Sequence, residues 1–190
     1  MMTDAKYLWL DSYKDAVKAI HSTLDIREVL ELLVGKVVQV MKVKGGSLYL
    51  FDPERRTLEL VSSHGLSGKY IGKGPVEADQ SIAQTMEGKT VWIPEAMKDP
   101  RVQYRKEAIE EGIYGILSVP LSIKGQVVGA LRLYTPGPRT FLKEEIDFIE
   151  GLAEMGTIAI ENARRYESIR KDYEYVLNDI FYFYGYRRSI

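Results

Sequence analysis

The chain has 190 residues, 45% hydrophobic and 28% charged, a composition that suits one globular domain with extensions. Lys and Arg total 26 against 27 Asp and Glu, so a net charge of −1 supplies no bulk field for nucleic acid or an anionic membrane. Cysteine is absent, which excludes disulfides, thiolate metal sites, cysteine nucleophiles and thioether-linked chromophores.

The first residues, 1–6, lack the apolar stretch of a signal peptide, and no apolar run approaches the ~20 residues of a membrane span. A soluble, cytoplasmic protein is expected. Leu10, Tyr13, Val17, Ile20 and Leu24 then recur at helical spacing and predict a first helix. Asp25 with Glu28 has the spacing of a capping box and predicts the start of a second, with Val29, Leu32, Leu33, Val37 and Val40 as its apolar face. Glycine at Gly45 and Gly46 is expected to stop it.

Residues 47–51 and 57–63 read as a hairpin around the turn chemistry of Asp52 and Pro53. A glycine-punctuated loop follows (Gly65, Gly68, Gly72, Gly74), then a short helix over 81–87, a strand over 90–93 and a helix over 103–111. Residues 115–123 and 127–134, rich in Val, Ile and Leu and joined by Lys124-Gly125-Gln126, predict a second hairpin. From Leu142 onward the pattern is one long helix with two apolar faces. Ile146, Ile149, Ala153 and Ile160 can cover the sheet. Leu152, Gly156, Ala159, Ala163, Tyr166, Tyr173, Leu177 and Ile180 follow a coiled-coil register interrupted by Arg170, and the small residues invite close approach of another helix. Helices before and after one antiparallel sheet give an α+β domain.

Residues 22–30, the Ser63-His64-Gly65-Leu66 turn, Asp99-Pro100-Arg101, the paired Ser118-Val119-Pro120-Leu121 and Val128-Gly129-Ala130-Leu131, and Ala159-Ile160-Glu161-Asn162-Ala163-Arg164 follow one another in an order and spacing that, over residues 22–167, resembles a GAF domain. The resemblance implies a PAS-related, six-stranded antiparallel sheet. It places N- and C-terminal helices on one face, often pairing two copies, and an insertion over a small-molecule pocket on the other. Residues 1–21 would form an N-terminal helix for pairing or signalling, and 168–190 a helical extension with an aromatic tail.

The ligand classes of such modules can be weighed on this chain's residues. Cyclic-nucleotide binders often carry Asn-Lys-x-Phe-Asp-Glu near the last helix. Residues 138–145 supply Phe141 and downstream acids without the Asn-Lys, and Phe141 as a core plug with Glu144 at a helix start is the simpler reading. Covalent bilin attachment and methionine-sulfoxide reduction both call on cysteines. Haem or iron would have only His21 and His64, and one histidine without a partner reads as a turn residue. No nucleophile–base constellation or paired carboxylates are recognisable, so no catalytic residue, metal or cofactor is assigned.

Strand alternation and the implied arrangement leave Tyr49, His64, Trp92, Tyr104, Tyr114, Ser118, Arg132 and Tyr134 as pocket candidates. Arg132, between Leu131 and Leu133, is either a carboxylate or phosphate receptor or an exposed strand residue, and exposure is favoured. Tyr13, Val17, Ile20, Leu152, Gly156, Ala159, Ala163 and Tyr166 are the expected dimer surface. Five of thirteen tyrosines and two of five phenylalanines fall between Tyr173 and Tyr186, and these rings are expected to fold back on the domain or on a dimer mate. The function expected is a non-catalytic sensory module, binding an unknown small molecule and signalling through a homodimer to a separate output protein. The alternative is a dimerisation or protein-interaction module with no physiological ligand.

Overall fold

Both faces of the central strands are buried, and each is covered by its own set of elements. The computed structural model describes the backbone of residues 2–22, 25–79 and 82–186 and the side chains of 7–20, 25–79 and 82–177. Its six strands are β1 (Gly45–Asp52), β2 (Thr57–His64), β3 (Val76–Glu77), β4 (Val91–Ile93), β5 (Gly115–Ile123) and β6 (Gln126–Thr135). They pair antiparallel throughout, in the order β3-β2-β1-β6-β5-β4. The helices are α1 (Met2–Ser22), α2 (Ile26–Met41), α3 (Gly68–Ile71), α4 (Ala83–Met86), α5 (Arg105–Glu111) and α6 (Lys143–Tyr186). No helix among the described residues is long and apolar enough to cross a membrane.

Local chemistry sets the boundaries. Asp25 caps α2 by accepting from the Arg27 N–H at 2.9 Å. The helix ends at Met41 on a left-handed Lys42 (φ 51°), so Gly45 and Gly46 do not stop it as expected but belong to β1. In β5–β6 the loop is two residues, Lys124 and Gly125, both at positive φ (51° and 81°), the backbone of a primed hairpin turn. At the start of α6 Glu145 reaches back to the Leu142 N–H at 2.9 Å while its other oxygen pairs with Arg139, so Glu145, rather than Glu144, serves the helix start. Two short elements, α3 and β3, lie in what the sequence presents as a glycine-rich loop.

α1, α2 and α6 cover one face, burying Val29, Leu30, Leu33, Leu48, Leu117, Leu131, Leu133, Ile149 and Leu152. Trp9 stacks on Phe148 with centroids 5.2 Å apart, and Tyr13 packs edge-on to the same ring and donates to the Phe148 carbonyl at 3.1 Å. Farther along, Ile20 lines a hollow of about 140 Å³ with Ile26, Val29, Ala159, Ala163 and Tyr166. α1 therefore runs parallel to α6, and α2 runs antiparallel to it. The opposite, concave face lies under α3, α4, α5 and β3, with Tyr49, Leu58, Val76, Ile82, Ile93, Val102, Ile113, Ile116 and Tyr134 buried beneath them.

Several residues expected on a dimer surface are instead inside this core. Leu152 and Ala159 are buried, and Gly156 lies against Leu33 and Leu30 of α2. The small-residue seam lets α6 approach its own α2. Tyr13 is likewise committed to Phe148. Val17 and Tyr166 remain exposed, Ile20 and Ala163 half-buried. Tyr173 and Tyr175 stand in solvent on α6. The side chains of residues 178–190, like those of His21 and Leu24, lie outside the described residues.

The tight pairing of β1 with β6 gives a test. A Cβ on Gly129 would collide with the Tyr49 carbonyl oxygen and press on Leu50 Cα at 3.2 Å. Backbone cannot move aside as a flexible side chain can, so Gly129→Ala is expected to cost about 1–3 kcal/mol, read from urea unfolding.

Candidate functional site

The concave face is polar at its centre. Register sets Ser47 of β1 and Ser118 of β5 on either side of Arg132 of β6, and alternation turns all three away from the leucines that meet α2 and α6. One step along lie Tyr134 and Ile116, and one step the other way Tyr49, Ala130 and Pro120. Arg132 is 3% exposed. The favoured expectation of an exposed strand residue is corrected: its neighbours Leu131 and Leu133 do point away, but the second face is roofed by helices. Its guanidinium carbon lies 5.9 Å from the Tyr134 ring centre.

Tyr134 is fully buried, shares a hydrogen bond of 2.8 Å with the Ser47 hydroxyl, and meets Tyr70 of α3 edge-on at 5.6 Å. Lys73 follows α3 and sits among three tyrosines. Its Nζ is 4.0 Å from the Tyr70 ring centre, 5.8 Å from Tyr104 and 6.0 Å from Tyr49. It donates to the Tyr70 carbonyl at 3.1 Å and to the Tyr49 hydroxyl at 3.4 Å. Outside Lys73 and Tyr49 an open groove of about 390 Å³ runs past Leu60, Ile71 and Pro75.

The roof is pinned by charged hydrogen bonds. Glu111 of α5 accepts from the Ser67 N–H and hydroxyl at the start of α3 and pairs with Lys44 at 3.4 Å. Burial raises its pKa, but Ser67 and Lys44 outweigh that and hold it below the usual carboxylate range. Asp99 grips Arg101 at 2.9 and 2.6 Å, and Arg101 reaches Gln84 of α4 at 3.0 Å. The Asp99-Pro100-Arg101 string thus ties the segment before α5 to α4. Tyr104 donates to the Pro75 carbonyl at 2.8 Å.

Of the expected pocket residues, Tyr49, Ser118, Arg132 and Tyr134 come together on this face, and Tyr104 joins through Lys73. Three do not. Trp92 pairs with Leu117, so it faces the large helices and packs edge-on to Phe141 at 5.0 Å. His64 pairs with Gly46, and its ring lies beside Gly35 of α2 in an open surface groove. Tyr114 is half-buried at the head of β5, its peptide bonded to Thr135 and Ala96. Sequence reasoning missed Ser47, Tyr70, Lys73 and Thr85. Ser47 was legible, being two residues from Tyr49 on the same strand face; the others sit on short elements with no periodic signal.

The phenols differ in electrostatics. Burial pushes Tyr70 up to about 12, and burial raises Tyr134 well above the ordinary 10. Burial also raises Tyr49, yet Lys73 and Arg132 together carry it below 10. For Tyr70 the raised value means that folding favours the neutral phenol. That stabilisation is whole below pH 10 and is lost as pH rises towards about 12, amounting to roughly 3 kcal/mol. Urea unfolding across that window should show the loss, and Tyr70→Phe should flatten the dependence.

Comparison with known proteins shows where this architecture recurs. The chain is 21% identical over 172 residues to a Nif-specific regulatory protein of Azospirillum brasilense, covering 86% of this chain and 27% of that protein. It is 27% identical over 167 residues to a methyl sulfide methyltransferase-associated sensor of Methanosarcina acetivorans, covering 84% and 17% respectively. The chain therefore spans about a quarter or less of these relatives. Among solved structures, the GAF domain of a phosphoenolpyruvate-protein phosphotransferase from Coxiella burnetii superposes with a TM-score of 0.74 at 21% identity, over 84% of this chain and 96% of that one. A free methionine-R-sulfoxide reductase from Neisseria meningitidis gives 0.71 at 16%, over 83% and 91%. These likenesses show a shared fold. The sequence profile of the GAF domain family matches residues 23–161, and the chain belongs to that family.

Proposed function

We propose that this chain is a non-catalytic sensory module that takes a small molecule on its concave face and signals to a separate partner through helix packing in a homodimer. The observation that carries this reading is the continuity of α6. Its first turns are a wall of the core, through Phe148, Ile149 and Leu152, and the same unbroken helix runs 44 residues to Tyr186. The face that α1 covers at Phe148 and Gly151 continues in phase through Met155, Asn162, Tyr166, Ile169 and Tyr173. Past the end of α1 the stripe is open: Ile169 is 68% exposed, Tyr173 63% and Val176 53%. This stripe shares Tyr166 and Tyr173 with the seam expected from sequence, but runs through Asn162, Ile169 and Val176 where that seam has Ala163, Arg170 and Leu177.

A second copy laid along this stripe would bury it at a heptad spacing, and the exposed Tyr7, Leu10 and Val17 of α1 would extend the contact. The relatives named a regulatory protein and a sensor support a regulatory role. A ligand could transmit only its difference in affinity for two packings of these helices. One feature favours the alternative of an interaction module without a ligand: the rings of Tyr70 and Tyr134 fill the middle of the concave face.

Sedimentation equilibrium is expected to give a dimer at micromolar concentration. The pair Ile169→Glu and Tyr173→Glu should give a folded monomer by circular dichroism, since both side chains lie outside the core. A monomeric parent chain would overturn the homodimer. Thermal-shift screening against nucleotides, amino acids and carboxylates separates the two readings, a flat screen beside a tight dimer favouring the interaction module.

A further inference from the structure

We infer that a second copy of this chain lies antiparallel along the open stripe of α6, centred between Tyr166 and Ile169. Tyr173 of each copy then sits over a hollow beside Asn162 of the other, and Arg165 of each meets Asp172 of the other. This inference rests on the homodimer proposed above and names how its two copies meet.

The first support is charge. Asn162, Tyr166, Ile169, Tyr173 and Val176 alternate by four and three residues, so they form the seam of a heptad and their neighbours form its two flanks. One flank carries Arg165 and Asp172, both exposed. The other carries Ala163, Arg170 and Leu177, of which Arg170 is exposed. Parallel helices set the first flank of one copy against the second flank of the other, which brings Arg165 to Arg170 and Asp172 to Leu177. Antiparallel helices set each flank against itself, which brings Arg165 to Asp172 on both sides of the two-fold and leaves Arg170 beside Ala163. Asp172 has no ion pair within the chain among the described residues, whereas Glu161, Glu167 and Glu174 nearby are already matched with arginines. Each such contact is weak. Both orientations bury the same stripe, however, so the flanks decide between them.

The second support is shape. A parallel pair stacks each seam residue on its own copy, Tyr166 on Tyr166 and Tyr173 on Tyr173. The antiparallel pair sets Tyr166 against Ile169 and Tyr173 against Asn162, a large side chain facing a smaller one at each level. Room exists where the second of these lands: the hollow of about 140 Å³ between α1, α2 and α6 is lined by Ile20, Ala159, Asn162 and Tyr166. A tyrosine suits it, with an apolar ring for the hollow and a hydroxyl for the Asn162 amide, which has no hydrogen bond among the described residues. The third support is length. Past Tyr166 the helix continues to Tyr186, a stretch close to the 21 residues of α1. In the antiparallel pair that stretch runs alongside α1 of the other copy, where Leu10 and Val17 stand exposed.

The chain has no cysteine, so introduced thiols report alone. The test is mild oxidation of full-chain variants at micromolar concentration, read on non-reducing gels; Asn162 and Tyr173 are both exposed, and circular dichroism checks that each variant folds. Tyr173→Cys alone should stay uncrosslinked, because its two copies lie about 16 Å apart along the antiparallel pair, beyond disulfide reach. Asn162→Cys combined with Tyr173→Cys in one chain should give a covalent dimer. In sedimentation, Asp172→Arg should weaken the dimer roughly fivefold, and adding Arg165→Asp should restore it. A parallel dimer gives the opposite pattern: Tyr173→Cys cross-links by itself, and Asp172→Arg, facing Leu177, changes little. That outcome overturns the antiparallel arrangement and leaves the homodimer standing. A dimer in which neither variant cross-links uses another surface and overturns it as well. A monomeric parent chain sinks both this inference and the homodimer.

Discussion

The pairing of β1 with β6 is the constraint on which the other arrangements hang. It joins a hairpin from the first half of the chain to one from the second, and it fixes which side chains go up and which go down. Leu48, Leu131 and Leu133 go to the large helices, while Ser47, Tyr49, Arg132 and Tyr134 go to the concave side. A slip of one residue would exchange these sets, placing a guanidinium in the helix-packed core. The fit of Gly129 against the Tyr49 carbonyl and the burial on both faces hold the register.

The same register explains what could and could not be read in the sequence. Long alternating or helical segments were legible: α2, both hairpins and the long α6 appear where periodicity puts them, and the resemblance to GAF domains supplied the sixth strand. β3 and α3 have too few residues to carry a period. His64 was misplaced by a bulge. Leu58 and Leu60 face the concave side, but the irregularity opposite Leu48 and Tyr49 inserts one residue, so His64 emerges on the helix side despite matching parity. Trp92 lies on a three-residue edge strand whose phase is set only by its partner Leu117.

Arg132 and the Gly156 seam show a different limit. Periodicity says that two residues lie on opposite sides of a strand, or that small residues share one side of a helix. It does not say what covers that side. Arg132 alternates as expected with Leu131 and Leu133, yet the roof of α3, α4 and α5 makes its face an interior. Gly156 allows a close helix approach as expected, yet the helix that approaches is α2 of the same chain.

The C-terminal half of α6 raises the question of what stabilises it. Most helical stability in proteins comes from packing of an amphipathic face rather than from intrinsic propensity. Its ion pairs, Arg165–Glu161, Arg170–Glu167 and Arg170–Glu174, lie on the surface and contribute only a few tenths of a kcal/mol each. Fully burying a large apolar side chain contributes about 1.5–3 kcal/mol, so the open stripe of Tyr166, Ile169, Tyr173 and Val176 holds more available stabilisation than all those pairs. Such a helix would be firm only while the stripe is covered, and its firmness would then report on whatever covers it. Its root lies against Leu117 and Leu131 in one core, and Leu131 is one peptide from Arg132. In the proposed sensor, a ligand that shifts the concave side of β6 would act on the root of the helix whose far end depends on pairing, across a single sheet's thickness. Direction and size of the effect would be set by the difference in affinity for the two packings.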